Sequence, residues 1–313
     1  MTISVSGLIT VFGSINADMI FEIEQLPLPG QTLLARVFRI EAGGKGANQA
    51  VAAARDGASV AMVGTVGTDA LAEAALAGLR ESGVDLSHVA SATMPTGCAG
   101  INTDSQGRNQ IVVALGANAA LSHSQLDTAL LARSSHILLQ MESPAAEVAA
   151  VIAQARAAGI RCILNLAPAI RLPLEALRAC GMIIVNEDEA GALAGWLNCG
   201  PGAAELHRAL GVDIVRTLGG EGAESCSAAA GIQRVGARPI KAVDTTAAGD
   251  CFIGVLAAEL TRGSGLIGAM ERASTAAAIC CSRRGSQSSL PRHEEIREAH
   301  ERWARRRQSG AKS

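Results

Sequence analysis

Two aspartates, Asp244 and Asp250, flank a run of small residues that could hold an anion beside a catalytic base. An apolar, helix-compatible segment follows at 251–260, so the pattern predicts a loop that opens into a helix. The small residues between the aspartates include Ala247, Ala248 and Gly249. A ligand could approach the free N–H groups of the first helical turn there and meet the positive end of the helix dipole. Since a carboxylate repels phosphate, Asp250 suits a general base for an incoming hydroxyl, and a capped helix start is the alternative.

A second glycine-rich stretch, EAGGKGANQA at 41–50, runs into an alanine-rich helix. Its glycines let the backbone lie close to a ligand, and Lys45 and Asn48 are donors that polyol hydroxyls need. It is not a Walker A loop, because Gly46 follows the lysine, and not a dinucleotide fingerprint, because position 49 is glutamine. A glycine turn that packs helix on sheet is an equally simple interpretation.

Short apolar runs alternate with helical patterns along the chain, and most of these runs end in polar residues. This alternation predicts an α/β fold whose parallel strands present their carboxyl ends along one edge. The polar residues expected to converge at that edge are Asn16, Asp18, Glu142, Asn165 and Asn186. Asn16 and Asp18 are two residues apart and would point the same way in extended backbone, although a turn is the default explanation.

The strands and helices that must position these residues are predicted from the same alternation of apolar runs and helical patterns. Predicted strands cover 8–12, 31–40, 60–64, 96–103, 110–115, 136–140, 162–166, 182–185, 214–218, 224–228 and 232–238. Predicted helices cover 69–81, 144–158, 187–195, 250–260, 269–281 and a charged terminal segment from 291. The strands at 96–103 and 110–115 are expected to form a hairpin. No internal repeat and no linker divide the chain, so one domain, 1–313, is expected.

Composition excludes several classes of protein. The chain has 313 residues, 49% hydrophobic and 18% charged, which is ordinary for a globular protein. A formal net charge of -2 offers no field for nucleic acid or anionic membrane, and a solvated helix tail explains the Arg-rich segment 302–307. The absence of Tyr, with four Phe and two Trp, argues against base-stacking surfaces.

Eight cysteines lack a C-x-x-C pair or zinc-like spacing and are interpreted as buried thiols in a reducing compartment. The first fourteen residues lack the basic region and long apolar core of a leader. No run approaches the roughly 20 apolar residues that a membrane span needs. We therefore expect a soluble, cytoplasmic protein that binds neither nucleic acid nor membrane.

Five motifs, met in order, resemble those of the PfkB carbohydrate kinases, and most closely those of members that phosphorylate ribose. They are GSINAD at 13–18, GGKGANQA at 43–50, GANAAL at 116–121, NEDE at 186–189 and DTTAAGD at 244–250. The resemblance implies an α/β fold, with a mostly parallel central sheet flanked by helices and a small β-sheet lid from segments near 19–40 and 97–115. It also implies transfer of the ATP γ-phosphate to O5 of D-ribose, with Mg²⁺ and a monovalent cation, usually K⁺, and a homodimer paired through the lid.

The resemblance also implies roles for individual residues. Those that resemble sugar ligands are Asn16, Asp18, Gly44, Lys45, Asn48 and Glu142. Asp250 resembles the base that takes the hydroxyl proton, and the implied anion hole is Ala247, Ala248 and Gly249. The implied positions for magnesium, phosphates and nucleotide are Asn186, Glu189, Thr217, Gly219, Gly222, Gly249 and Ser274. Those that match the monovalent-cation site are Asp244, Ser289 and the carbonyls of Thr246, Cys280, Arg283 and Gly285.

Two departures from the family pattern concern the nucleotide and the cation. Ser274 stands where some members carry a larger polar side chain, and Ser288 replaces a proline common in the cation loop. One alternative is a kinase of the same family that acts on another small sugar or nucleoside, such as 2-deoxyribose. Another is a sugar-binding regulator on a kinase scaffold. A dinucleotide-dependent oxidoreductase is disfavoured by the missing fingerprint.

Overall fold

The computed structural model of the chain describes residues 7–106 and 108–310, with side chains described as far as residue 305. Three sequence expectations therefore fall partly outside the described residues. They concern the first six residues of the expected leader-free N terminus, Gly107 in the predicted hairpin, and the side chains of Arg306 and Arg307 in the basic tail.

The strands of the described residues form two sheets. In chain order they are β1 (Leu8–Phe12), β2 (Asn16–Glu22), β3 (Val37–Gly43), β4 (Val60–Val66), β5 (Asp85–Ser91), β6 (Gly97–Thr103), β7 (Asn109–Ala114), β8 (Ser134–Leu139), β9 (Arg161–Asn165), β10 (Met182–Val185), β11 (Asp213–Thr217), β12 (Gly222–Ser227) and β13 (Gly231–Gly236). The large sheet has the order β13-β12-β11-β10-β9-β8-β1-β4-β5, and the small sheet has the order β3-β2-β6-β7.

Helices pack on both faces of the large sheet. In chain order they are α1 (Lys45–Arg55), α2 (Ala70–Glu81), α3 (Thr128–Arg133), α4 (Ala145–Ala157), α5 (Leu174–Ala179), α6 (Glu187–Leu197), α7 (Ala203–Leu210), α8 (Ala248–Thr261), α9 (Leu266–Cys281) and α10 (His293–Gly310). One buried apolar cluster joins α1, α2, α8, α9 and α10 to the sheet, and a second joins α3 to α7 to its other face.

The large sheet is parallel from β5 across to β11, and β12 and β13 are added as antiparallel strands at one edge. Every residue of β4 is buried, as expected for a parallel strand covered on both faces. The predicted mostly parallel sheet flanked by helices is therefore confirmed.

The small sheet is the predicted lid. Its strands β2 and β3 pair antiparallel, as do β6 and β7, while β2 and β6 pair parallel in the centre. The predicted hairpin is therefore confirmed as β6 and β7. The lid begins at Asn16 and includes Gly43, so it reaches further in both directions than the predicted segment 19–40.

The predicted strand at 31–40 is wrong in its first part. The structure places only 37–43 in β3, and residues 31–36 lie in an exposed connection. The ladder between β2 and β3 ends where Glu22 pairs with Val37, so the alternating residues before Val37 have no neighbouring strand to pair with. Three short helices, α3, α5 and α7, were absent from the prediction, because each has fewer than nine residues and gives little periodicity.

A buried carboxylate links four helices. Asp56 follows α1 and is fully buried. Its Oδ2 accepts a hydrogen bond of 2.9 Å from Arg262, and its Oδ1 pairs with Arg272 and with His293, 3.1 Å away. Arg262 follows α8, Arg272 lies in α9 and His293 begins α10. The charge of Asp56 is thus compensated within the protein rather than by solvent.

The eight cysteines are all free, and burial raises the pKa of Cys162 to about 12, which keeps that side chain a thiol. Five of the eight are buried, as expected, whereas Cys98, Cys199 and Cys281 are only half-buried. Among the helices of the described residues, none combines the length and the apolar character that crossing a bilayer requires.

Candidate active site

Polar residues gather where the strand order reverses, between β1 and β8. Ser14 follows β1, and its Oγ donates a hydrogen bond of 2.7 Å to Oε2 of Glu142, in the loop after β8. The backbone nitrogen of Lys45, the first residue of α1, donates to the same carboxylate oxygen at 3.1 Å. A crevice outside the carboxyl ends of the strands at such a reversal is the usual ligand site of open α/β sheets.

Asn16 and Asp18 lie two residues apart on lid strand β2, both buried. Because successive side chains of a strand alternate, both project from the same face. Asn118 Nδ2 donates to Asn16 Oδ1 at 2.7 Å, and Asn118 Oδ1 accepts from the Ile15 amide at 2.9 Å. The extended interpretation of this pair is confirmed, and the turn interpretation is wrong.

The glycine turn before α1 lies against the backbone that joins β1 to β2. Gly44 has a φ of 89°, and a Cβ atom there would lie 2.8 Å from the Asn16 nitrogen. A Cβ atom on Gly46 would lie 2.6 Å from the Ser14 nitrogen. Glycine is therefore needed for close packing, so the packing interpretation is correct for these residues. The same packing brings the side chains of α1 to the site.

Asp250 lies in the first turn of α8 and is buried. Its Oδ2 accepts a hydrogen bond of 3.0 Å from Asn48 Nδ2, and its Oδ1 accepts one of 2.9 Å from Gln49 Nε2. No side chain caps α8, whose preceding residue, Ala247, is left-handed with a φ of 58°. Because the carboxylate faces α1 rather than the N terminus of its own helix, the helix-cap interpretation of Asp250 is wrong.

The first turn of α8 presents free N–H groups to open space. Its α-helical ladder starts with the Cys251 amide, which donates to Ala247 O at 2.8 Å, so the amides of Gly249 and Asp250 precede the ladder. A Cβ atom on Gly249 would meet no heavy atom within 4 Å. This turn therefore has the room, the donors and the dipole direction that an anion requires.

The charges of the site are strongly coupled. Burial, followed by the carboxylates of Glu142 and Glu41, raises the pKa of Asp18 to about 7. Burial also raises the pKa of Asp250, against the opposing charge of Lys45. For Lys45, burial alone would lower the pKa, but Asp250 and Glu142 raise it overall, so the ammonium stays charged. The Lys45 ammonium thus lies among several carboxylates that share its charge.

Asp244 ties the turn before α8 to the loop after α9. Its Oδ1 accepts a hydrogen bond of 2.9 Å from the Thr246 amide, and its Oδ2 accepts one of 3.0 Å from the Gly285 amide. Burial works to raise the pKa of Asp244, but these hydrogen bonds hold it below its usual value. The carboxylate therefore remains ionised and braces the turn that leads into α8.

The other residues predicted for the cation site lie in the same region. The Cys280 thiol donates to Thr246 O at 3.6 Å and lies 3.0 Å from the buried Ser289 Oγ. The side chain of Arg283 is directed away to Glu295, and its amide donates to Cys280 O at 3.0 Å. Within the described part of the chain, no three His, Cys, Asp or Glu side chains form a metal-binding group. Oxygen ligands for a cation here would be mainly backbone carbonyls.

Asn186 and Glu189 form a capping box at the start of α6. Asn186 Oδ1 accepts from the Glu189 amide at 2.8 Å, and Glu189 Oε2 accepts from the Asn186 amide at 2.8 Å. Burial raises the pKa of Glu189, and this carboxylate is close enough to Lys45 to raise the pKa of that lysine. The start of α6 therefore borders the same cluster of charges.

The predicted nucleotide residues follow the neighbouring strand β11. Thr217 ends β11, and its hydroxyl donates to Val185 O on β10 at 3.5 Å. Gly219 and Gly222 have positive φ angles of 50° and 108° in the turn that leads to β12. Ser274 is buried in α9, which packs against β12 and β13. Thr217 therefore lies beside the end of β10, the strand that leads into α6.

A cavity of about 430 Å³ lies between the lid and the segments at 242–246 and 284–286. Asp18 and Arg39 line it from the lid, and Asp244 and Ser286 line it from the opposite wall. The Ser286 amide donates to lid residue Glu41 at 3.3 Å, so the two walls touch. The cavity is within the size range of small-molecule sites.

Sequence reasoning gave no role to several residues that hold this site together, namely Ser14, Gln49, Asn118, Gln140 and Ser286. Asn118 lies in the GANAAL motif and Gln49 in the glycine-rich motif, so their positions were visible but not their partners. Gln140 Nε2 donates to Gln49 Oε1 at 2.7 Å, and Ser286 Oγ donates to Asn48 Oδ1 at 3.3 Å. Such contacts connect residues about 90 and 240 positions apart in the chain, for which local spacing carries no signal.

The chain is similar to known proteins over nearly its whole length. Residues 6–293 match the pfkB family of carbohydrate kinases. A ribokinase from Haemophilus influenzae is 35% identical over 93% of this chain and 97% of its own. A deoxyribokinase from Salmonella typhimurium is 34% identical over 93% and 97%. The structure of Arabidopsis thaliana ribokinase complexed with ribose and ATP is similar with a TM-score of 0.84, at 29% identity, over 94% of this chain and 99% of that one.

Proposed function

Because the chain belongs to the pfkB family of carbohydrate kinases, we propose that it transfers the γ-phosphate of ATP to O5 of D-ribose, giving ribose 5-phosphate and ADP. One observation carries the proposal: the carboxylate of Asp250 is held by Asn48 and Gln49. This contact brings the first turn of α8 to the glycine-rich start of α1. The proton acceptor, Asp250, therefore lies next to the anion cradle, residues 247–249, and next to hydrogen-bond donors that suit a polyol.

We assign the sugar to the cluster at the strand reversal. Its proposed ligands are Asn16, Asp18, Gly44, Lys45, Asn48 and Glu142. A sugar offers hydroxyl groups that both donate and accept, and this set combines carboxylate acceptors with ammonium and amide donors. Asn118 and Ser14 support the proposal, because they fix Asn16 and Glu142 by hydrogen bonds of 2.7 Å each. The ligands are thus held in place before a sugar binds.

In the proposed reaction Asp250 accepts the proton of the attacking hydroxyl. Its raised pKa brings it closer to neutrality, where a general base is most effective. The free N–H group of Gly249 is proposed to face the transferring phosphoryl group, with the small residues Ala247 and Ala248 beside it. The Ala248 amide itself donates to Thr245 O at 3.2 Å. Phosphoryl transfer relies mainly on positioning and on stabilisation of charge, and a helix N terminus provides both.

The nucleotide is proposed to lie along the ends of β10 and β11, next to the cradle. Its proposed contacts are Asn186, Glu189, Thr217, Gly219, Gly222, Gly249 and Ser274. Asn186 Oδ1 and Glu189 Oε2 are already engaged in the capping box, so these residues fit Mg²⁺ held largely through water. Mg²⁺ bound there would neutralise charge on the phosphates.

The loop around Asp244 fits a monovalent cation such as K⁺. Its donors would be Asp244, Ser289 and the carbonyls of Thr246, Cys280, Arg283 and Gly285. Oxygen atoms of this kind suit a hard cation. When bound, K⁺ would add positive potential beside the cradle. Asp244 itself braces the cradle, since it accepts from the Thr246 amide at 2.9 Å.

The proposed sugar is tested by comparing ATP-dependent product formation with ribose, 2-deoxyribose, fructose and adenosine, with and without K⁺. We expect the highest kcat/KM with ribose, and a higher rate with K⁺ than without it. Equal or higher kcat/KM with 2-deoxyribose would instead assign the chain to the alternative suggested by its 34% identity to a deoxyribokinase. Ribose binding without turnover on any sugar would favour a sugar-binding regulator.

We infer that the chain acts as one kinase domain, 1–313, that forms a homodimer through the outer face of the lid. That face carries exposed apolar side chains, among them Phe38, Ile40 and Val112, which are 54%, 42% and 69% exposed. Sheet faces of this kind are usually covered by a partner. Light scattering should therefore give twice the chain mass, and Phe38→Glu should give the monomer. A wild-type monomer at micromolar concentration would contradict this inference.

A further inference from the structure

We propose that Gln49, held in place by Gln140, is a positioning residue that orients the Asp250 carboxylate for proton transfer. The inference rests on the proposed kinase function and extends it to two residues that need not touch either substrate. Gln49 Nε2 donates to Asp250 Oδ1 at 2.9 Å, and Gln140 Nε2 donates to Gln49 Oε1 at 2.7 Å. Both glutamines are fully buried. Together they form a short relay of amides behind the carboxylate.

The relay determines which end of the Gln49 amide meets the aspartate. An amide has a donor end and an acceptor end of nearly the same shape. Because Gln140 donates to Gln49 Oε1, the Nε2 end must point to Asp250. A reversed Gln49 would place its oxygen against the carboxylate oxygen and its NH₂ group against another NH₂ group. With the Gln140 amide in this orientation, Gln49 presents to Asp250 the end that stabilises an ionised carboxylate.

Packing alone does not account for glutamine at these positions. A buried amide costs free energy wherever it lacks a partner, and a residue such as methionine fills similar volume without that cost. Gln140 Oε1 is buried and has no hydrogen-bond partner among the described residues. It is accommodated next to Gly13, where a Cβ atom would lie only 1.9 Å away. The gain from Gln140 is therefore its one hydrogen bond to Gln49.

Gln49 differs from Asn48, the other partner of Asp250. Asn48 Nδ2 donates to Asp250 Oδ2 at 3.0 Å, but Asn48 is also a proposed sugar ligand and contacts Ser286. Gln49 has both ends of its amide engaged in the relay. Two donors, one on each oxygen, fix the plane of the carboxylate. Removing Gln49 leaves Asp250 free to turn about its Cβ–Cγ bond and should slow proton transfer more than it weakens sugar binding.

The same hydrogen bond stabilises the charged form of Asp250. Other charged or titratable groups face Asp250 from every neighbouring element: Lys45 of α1, Asp18 of β2, Glu142 after β8, Glu189 of α6, and Cys251 and Cys280 of α8 and α9. The substitution of Gln49 leaves all of them in place. Loss of its donor should therefore raise the pKa of Asp250 and move the acidic limb of the kcat profile to higher pH.

The test compares Gln49→Met, Gln140→Met and the double variant, using the sugar that the wild type turns over best. We expect Gln49→Met to lower kcat by about 10- to 100-fold, the size of one hydrogen bond to a charged group, with KM for the sugar changed by less than about threefold. The acidic limb should rise by about one pH unit. Gln140→Met should act in the same direction but less strongly. In the double variant Gln140→Met should add nothing, because it acts through Gln49.

Gln154→Met is the matched control. Gln154 lies near the end of α4, a helix that runs back from the carboxyl edge of the sheet, and its Oε1 is also buried without a partner in the described chain. Its kcat and pH profile should equal those of the wild type. Thermal unfolding of each variant separates loss of fold from loss of rate, and Gln140→Met serves if Gln49→Met does not fold.

The proposal would be overturned if the effects of Gln49→Met and Gln140→Met were additive. It would also be overturned if Gln49→Met kept kcat within threefold of the wild type with an unchanged acidic limb. ¹³C NMR titration of the Asp250 carboxyl, assigned with Asp250→Asn, gives a readout that does not depend on turnover. An upward shift of its pKa in Gln49→Met supports the relay even if ribose is not the substrate, and no shift contradicts it. Failure of the ribose assay therefore affects only the proposed function.

Discussion

Asp250→Asn should reduce kcat by about 10²- to 10⁴-fold, the usual contribution of a general base, while ribose still binds. The substitution keeps the size of the side chain but removes its ability to accept a proton. Asn48 and Gln49 both direct NH₂ groups at this position, so one of them loses its acceptor in the variant. The ligands from β2 and the loop after β8 are unchanged. Steady-state kinetics and calorimetric titration with ribose measure the two effects separately.

Asp188→Asn is the control for this experiment. Asp188 also lies in the first turn of a helix, but it is exposed to solvent at the start of α6. Its replacement should leave turnover close to the wild-type value, because an exposed first-turn carboxylate contributes only to the helix dipole. Turnover of Asp250→Asn within tenfold of the wild type would remove Asp250 from the role of base.

Asp56→Ala should lower the free energy of unfolding by about 3 kcal/mol, the cost of breaking a buried ion pair from one side. Asp56 is fully buried, and its removal leaves Arg262 and Arg272 without their shared carboxylate. Glu259 contacts both arginines and compensates only in part. Because this cluster joins α1, α8, α9 and α10, the loss should affect the whole α1 face of the sheet. Urea denaturation measures the change.

Glu73→Ala provides the comparison for Asp56→Ala. Glu73 and Arg80 form an ion pair on the exposed face of α2. Exposed pairs of this kind add little to stability, so the urea midpoint should hardly move. Equal midpoints for Asp56→Ala and the wild type would show that the buried cluster does not hold the helices together.

Much of the fold could be predicted from the sequence because its strands are short, apolar and regularly spaced. β1, β10 and the hairpin of β6 and β7 agree with their predicted positions to within one or two residues. The errors occur in segments whose structure depends on contacts with other residues rather than on the local sequence pattern. Residues 31–36 alternate like a strand but have no neighbour, and helix α3 depends on a side-chain cap from Asp127 that accepts from the Leu130 amide at 2.7 Å.

The candidate site likewise contains residues that could be predicted from local motifs and contacts that could not. Lys45, Asn48 and Asp250 could be selected from residue type and spacing, since their motifs are local. The contacts that unite them could not be predicted, because Asn48 and Asp250 are 202 residues apart. Gln49 lies in the glycine-rich motif, but sequence reasoning assigned it no role beyond breaking a dinucleotide fingerprint. Its hydrogen bonds to Asp250 and Gln140 are visible only in the folded chain.

The central claim is that this site transfers the γ-phosphate of ATP to O5 of ribose. ³¹P NMR of a reaction that contains the purified protein, ATP, Mg²⁺, K⁺ and ribose tests it most directly. We expect ADP and ribose 5-phosphate to appear in equal amounts with the wild type, and Asp250→Asn to produce neither at a comparable rate. ATP hydrolysis to inorganic phosphate without a sugar phosphate, or phosphate on a ribose oxygen other than O5, would contradict the assignment.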